Sequence, residues 1–223
     1  IYFFLFVKRY TFPKLNNCSL FFFKKIINQG GWISAHSFLN PIFIYSDRFI
    51  IGNILGVFFT GIYTSIYDLI SKLTIFPMSI SNAYYPAFSS RINNKIKKHQ
   101  LLYESLKINS TIVLIPLIIL LTYGNQLVEF WLDIDIKSYG KYLISILSFA
   151  YIMQGFNVIY LKYFQAVGLF KFSFFLNLTL AFLYIPCMLL FLDLFGLSGA
   201  AIVLLLKNCT ECIANLMYFK FKK

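Results

Sequence analysis

Long apolar runs alternate with short polar and basic clusters along this chain of 223 residues. Six of the runs are long enough to cross a hydrocarbon core of about 30 Å, which takes roughly 20 helical residues. The pattern therefore predicts an all-α polytopic membrane protein with six transmembrane helices. The predicted spans lie near residues 31–54, 61–88, 107–128, 140–165, 170–192 and 197–219.

The charges between the runs predict the orientation of the helices. The segments 8–29 and 91–107 each hold five Lys or Arg residues, against no acid and one acid respectively. The turn at 52–61 has no charged residue, and the charged residues of the stretch 129–135 are all acidic. Cytoplasmic loops of membrane proteins are enriched in Lys and Arg. We therefore expect both ends of the six-helix unit to be cytoplasmic.

The composition excludes a soluble domain. The chain is 59% hydrophobic and 13% charged, whereas soluble domains are about 45–50% apolar and about 25% charged. The net charge of +12 raises nucleic acid as a partner. However, the basic residues lie in clusters between apolar runs and form no basic stripe, so we expect no nucleic-acid binding.

The first residues suggest a domain division. The stretch IYFFLFV at 1–7 is typical of the end of a helix, and it is too short for a span or a signal peptide. We expect the chain to be a C-terminal piece of a longer protein. Residues 1–29 would be the end of a preceding span plus a basic cytoplasmic linker between lobes, and 30–223 a six-helix lobe.

An acid and a base stand side by side in the first predicted span, at Asp47 and Arg48. Neighbours on a helix point about 100° apart, so each needs its own partner. The second span has Asp68 and Lys72 four residues apart, and Arg48 and Asp68 differ in depth by about three residues, or ~4.5 Å. The sequence therefore predicts a four-member charge network between the first two spans.

A second pair of opposite charges, Lys207 and Glu211, lies in the last span with the same spacing of four. A charge near mid-bilayer costs about 2.5–3.5 kcal/mol on insertion scales, and such residues usually mark substrate or ion pathways. Two interpretations stay open for the six charges. They form either a purely structural network or a cationic cavity that can also exchange protons.

Prolines interrupt the hydrogen bonding of several predicted spans. Each one removes a backbone donor and tends to kink or break a helix. In membranes such breaks are tolerated where neighbouring helices or a water-lined cavity satisfy the freed carbonyls. The sequence predicts helix breaks at four positions, and ordinary kinks are the alternative: Pro41, Pro77, Pro86 and Pro116.

No set of residues predicts catalysis, a metal site or a cofactor. The chain has only two histidines, His36 and His99, and lacks a phosphate-binding glycine loop. Cys209 and Cys212 lie inside a predicted span, where a spacing of three is one helix face and favours packing over metal binding. We expect the protein not to be an enzyme.

A long segment of the chain resembles a known family. The stretch YSDRFIIGNILGVFFTGIYTSIYDLISKLTIFPMSISNAYYPAFSS, residues 45–90, resembles the seventh and eighth spans of O-antigen type polysaccharide flippases. These belong to the multidrug/oligosaccharidyl-lipid/polysaccharide exporter superfamily. The matching positions are Asp47-Arg48, Gly52 to Gly56, Gly61-x-Tyr63, and Pro86 with Ser89-Ser90. The later stretch FGLSGAAIVLLL is similar to the start of a late span of the family.

The resemblance implies the C-terminal half of a protein with two six-helix lobes in the bacterial inner (cytoplasmic) membrane. Such proteins move undecaprenyl-diphosphate-linked oligosaccharide outward by alternating access, through a cationic central cavity. Arg48, Lys72 and Lys207 would line that cavity. Asp47, Asp68 and Glu211 would couple transport to H⁺ or Na⁺, or form the charge network. Other polysaccharide-assembly membrane proteins are possible partners.

Two other functions remain as alternatives. A drug or cation antiporter of the same superfamily would have an acidic, aromatic-lined cavity. A membrane enzyme of surface-polysaccharide synthesis would have a large outer loop with a catalytic Arg or His. The longest predicted outer loop, near 129–139, contains neither residue.

Overall fold

The structure is a computed structural model, which describes residues 20–90, 95–132 and 142–221. These residues form seven α-helices and one 3₁₀ turn. In chain order they are α1 (Leu20–Ile54), α2 (Val57–Ser71), the 3₁₀ turn (Lys72–Thr74), α3 (Ile75–Ser89), α4 (Lys95–Leu132), α5 (Leu143–Val167), α6 (Phe170–Phe195) and α7 (Leu197–Phe221).

The chain is an all-α polytopic membrane protein. Helices α4 to α7 each have the length and composition of a membrane span. Large apolar side chains point outward from them: Phe130 is 92% exposed and Phe182 is 74% exposed. Exposing such apolar side chains to water is unfavourable, whereas contact with the equally apolar lipid tails is not. The predicted linker 1–29 lies partly outside the described residues, and α1 begins at Leu20 within it.

The second predicted span, 61–88, is divided into two helices by the 3₁₀ turn. Pro77 lies just after this turn, in the first turn of α3, where its missing N–H disrupts the helical hydrogen bonding least. Its ring is buried against Gly155 of α5. A Cβ atom on Gly155 would lie 3.3 Å from Pro77 Cγ, so α3 and α5 approach closely here.

The other three prolines of the predicted breaks lie inside helices that continue through them. Pro41 lies within α1, Pro86 within α3 and Pro116 within α4. Neighbouring residues in each case keep their helical conformation. Among the described residues, the helical hydrogen-bonding pattern changes to 3₁₀ only at Lys72–Thr74.

The helices pack around two apolar clusters. α5 packs against α3, α4 and α7, while α6 packs against α1 and α7. The larger cluster joins α1, α2, α4, α5, α6 and α7 and includes Ile51, Ile66 and Ala200. The smaller one joins α3, α4 and α5 and includes Phe88, Leu102 and Phe164.

The turn between α6 and α7 is set by two glycines. Gly196 has φ +58°, a conformation that glycine adopts without steric cost. At Gly199 a Cβ atom would come within 2.0 Å of the Phe191 carbonyl oxygen. The stretch FGLSGAA therefore needs small residues so that the backbones of α6 and α7 can approach.

Candidate functional site

Arg48 joins the first two helices through an ion pair. Its Nη2 atom donates to Asp68 Oδ1 at 2.9 Å. The Arg48 and Asp68 side chains are 33% and 50% exposed, so a molecule outside the helix bundle can contact this ion pair. The separation of ~4.5 Å in depth expected from the sequence is within the reach of an arginine. The contact links α1 to α2 on the accessible side of the pair of helices.

Asp47 points in a different direction, into the larger cluster. It is 2% exposed, and the Tyr63 hydroxyl donates to its Oδ2 atom at 3.4 Å. Its Oδ1 atom is buried and has no hydrogen-bond partner among the described residues. The charges of Arg48 and Lys207 act on this carboxyl group, and Tyr184 of α6 also interacts with it.

The four charges of the first two spans do not form one contact network. Asp47 and Arg48 diverge because adjacent helical side chains point about 100° apart. Lys72 is exposed in the 3₁₀ turn, and in the described ranges no ion pair joins it to Asp68. The guanidinium of Arg48 holds the Asp68 carboxylate instead.

A group of buried and half-buried polar side chains lies where α1, α6 and α7 meet; we call His36, Asn177, Lys207 and Glu211 the inner cluster. Lys207 Nζ lies 2.9 Å from Glu211 Oε2, and each side chain is 9% exposed. Asn177 Nδ2 donates to Glu211 Oε1 at 3.2 Å and lies 3.2 Å from His36 Nε2. The ammonium of Lys207 also lies 4.6 Å from the centre of the Phe43 ring.

The inner cluster shows why a charge can remain inside this helix bundle. The Lys207 ammonium has a carboxylate and an aromatic face as partners, and both interactions strengthen when water is excluded. The Glu211 carboxylate has a lysine and an amide donor. Each charge is thus compensated locally, and the pair adds no net charge to the membrane interior.

Asn177 and His36 were not assigned to this group by sequence reasoning. Asn177 lies 141 residues from His36 and 34 residues from Glu211 along the chain. The available signal was an isolated asparagine in the apolar run FFLNLTLAF, because polar amides in spans tend to hydrogen-bond across helices.

A second set of amides, also not singled out by the sequence analysis, ties α5 to α7. Asn157 Nδ2 donates to the backbone carbonyl of Asn208 at 3.0 Å, and Asn208 Nδ2 donates to the backbone carbonyl of Ala150 at 2.8 Å. Asn215 Nδ2 donates to Asn157 Oδ1 at 3.4 Å. These side chains are 2–4% exposed. They bond to each other and to backbone groups, which indicates a role in holding the helices together.

Within the parts of the chain that the structure describes, no three His, Cys, Asp or Glu side chains come together as a metal site would require. Cys209 and Cys212 are free thiols on α7.

Comparison with known proteins decides the family. A family model described as "Polysaccharide biosynthesis protein" matches residues 2–133. The chain belongs to the polysaccharide biosynthesis protein family. This confirms the resemblance found in the segment 45–90, which lies inside the matched region.

Two individual proteins are similar to the chain. The chain is 27% identical over 180 residues to a Shigella flexneri protein named "Putative O-antigen transporter", covering 81% of this chain and 43% of that protein. The crystal structure of a MATE mutant matches with a TM-score of 0.76 at 20% identity, over 99% of this chain and 51% of that one. The chain thus spans about half the length of the proteins it matches, and its fold is that of one part of the MATE structure.

Proposed function

We propose that the chain forms one six-helix lobe of a two-lobe transporter that moves polyprenyl-diphosphate-linked oligosaccharide across the bacterial inner membrane. Membership of the polysaccharide biosynthesis family and a fold that matches 51% of a MATE structure support this proposal. The substrate would be an O-antigen or capsule repeat unit. Both ends of the lobe would be cytoplasmic, and alternating access would arise from one lobe rocking against the other.

The observation that carries the proposal is a pair of accessible cations on the two helical segments that the sequence predicts as the first and second spans. The Arg48 side chain is 33% exposed although it lies in the apolar part of α1, and Lys72 is exposed at the 3₁₀ turn of the next span. An exposed charge in a span is expensive unless it faces a polar cavity. We propose that both cations face the space between the lobes and bind the diphosphate.

Lys207 takes a different part in this proposal. Its ammonium is 9% exposed and is held by Glu211, so a head group can reach it only after the inner cluster opens. Lys207 is therefore proposed as a cavity cation of one state of the cycle, while in the state described here it neutralises Glu211.

The acids are proposed to couple transport to H⁺ or Na⁺. Asp47 has one buried oxygen without a hydrogen-bond partner among the described residues, and an ion or proton would satisfy it. Asp68 and Glu211 are paired with bases and would exchange partners during the cycle. The membrane potential favours outward movement of an anion, because the cell interior is negative. Moving one charge through 100 mV is worth about 2.3 kcal/mol, and a diphosphate with two charges gains about twice that.

The test neutralises the two accessible cations in the natively expressed protein. The double variant R48Q/K72Q should leave complete sugar-lipid on the cytoplasmic leaflet and lower surface polysaccharide by at least tenfold. The control K98Q/K171Q removes two positive charges elsewhere and should behave as wild type. Both proteins are compared at equal membrane abundance, with the wild-type gene repressed.

Three results would overturn the proposal. Translocation that persists in R48Q/K72Q at normal expression would remove the cavity role of these cations. Sugar-lipid that reaches the outer leaflet without being polymerised or attached, after repression of the wild-type gene, would point to an enzyme of the later steps. No change in either pool after repression would exclude the polysaccharide substrate, and drug export would be measured next.

A further inference from the structure

A groove opens between α4, α5 and α7, and its lining includes neither Arg48 nor any residue of the inner cluster. Its volume is about 610 Å³, which is in the range of small-molecule sites. Apolar side chains form most of its wall, among them Leu106, Phe156 and Leu216. Lys107 and Lys220 line the same groove. It therefore combines an apolar wall with basic groups.

The two lysines lie where the apolar part of each helix ends. Residues 108–128 of α4 contain no charged side chain, and these 21 residues span about 31 Å of helix, close to the hydrocarbon thickness. Lys107 therefore lies at the level of the lipid head groups. Lys220 lies at the opposite end of α7 from the turn at Gly196, and the charged residues between them are the paired Lys207 and Glu211.

The groove also has an excess of positive charge. Both lysines are exposed, and neither forms an ion pair with another described residue. Glu104 is the one acidic side chain on the groove wall. Tyr103, also on the wall and 69% exposed, is of the type that lies at membrane interfaces.

We propose that this groove binds an anionic phospholipid of the surrounding leaflet, with the head-group phosphate between Lys107 and Lys220 and an acyl chain against Leu106, Phe156 and Leu216. Basic pockets between transmembrane helices bind anionic lipid head groups in this way. A free phosphate ion would leave the apolar wall without a partner, and a neutral lipid would leave the lysines without one. This proposal requires that the groove faces a lipid bilayer, and it does not depend on which substrate the protein transports.

The experiment measures lipid retention by the purified, natively expressed protein in a detergent with a neutral head group. Native mass spectrometry compares bound phosphatidylglycerol with phosphatidylcholine of the same chains, added in equal amounts. Wild type should retain phosphatidylglycerol at least fivefold more, and K107Q/K220Q should lose that preference. K98Q/K171Q, which removes two lysines outside the groove, should keep it.

A second variant tests the apolar wall separately. Leu216 is 40% exposed on the groove wall, so L216W should fill the groove and lower retention of phosphatidylglycerol at least threefold while both lysines remain. Equal retention of the two lipids by wild type would overturn the proposal. So would an equal loss in K98Q/K171Q, or thermal stabilisation by inorganic phosphate alone that matches stabilisation by phosphatidylglycerol.

Discussion

Replacing Lys207 with methionine is the most direct test of the inner cluster. The Lys207–Glu211 distance is 2.9 Å and both side chains are 9% exposed. At an effective dielectric constant near 20, two charges at this distance attract by about 6 kcal/mol. Removing one partner of a buried pair typically destabilises a protein by about 3–5 kcal/mol, because the remaining charge stays buried without compensation. We expect a loss in this range for K207M.

The matched variants separate the pair from the packing. E211Q keeps an oxygen that can accept from Asn177 but removes the negative charge, and K207M/E211Q removes both charges. Replacing a buried pair by neutral groups of similar volume is often nearly neutral. The double variant should therefore lose less stability than K207M alone, with a coupling energy of about 2 kcal/mol or more across the cycle.

The assay is the free energy of unfolding in mixed micelles, measured for the wild type and the three variants under one set of conditions. Equal destabilisation by K207M and K207M/E211Q would refute the argument, because the cost would then come from the lost lysine stem alone. A loss below about 1 kcal/mol for K207M would show that the pair behaves as a surface ion pair.

Three further predictions follow from local geometry, each measured by the same unfolding assay. G199A should cost about 1–3 kcal/mol through overpacking, since its Cβ atom would meet a backbone carbonyl of α6 at 2.0 Å; G61A, with nothing within 4 Å, is the control. N208L should lower the free energy of unfolding by about 1–3 kcal/mol, because it removes the buried hydrogen bond to the Ala150 backbone carbonyl of α5. A loss below about 0.5 kcal/mol would contradict this expectation. R48Q should cost at most about 1 kcal/mol, because the pair with Asp68 is largely open.

The arrangement around Asp47 and Arg48 shows what sequence reasoning can reach. Helix geometry alone indicated that the two side chains diverge and that Arg48 can reach Asp68, and the structure contains this pair. It did not indicate that Asp47 is directed to Tyr63 in the interior. That depends on how the helices rotate about their axes, and the side chains of α1 and α2 alone do not fix this rotation.

The sequence determined the helical, membrane-spanning character of the chain, the approximate positions of its spans and its family. These follow from the length of apolar runs and from motifs that are contiguous in the sequence. The tertiary structure decided which helices meet, and it brought His36, Asn177 and Glu211 together from three distant segments. The reason is physical: lipid tails are as apolar as leucine, so hydrophobicity places a helix in the membrane without selecting its neighbour. Close packing and buried hydrogen bonds make that selection, and they exist only once the helices are assembled.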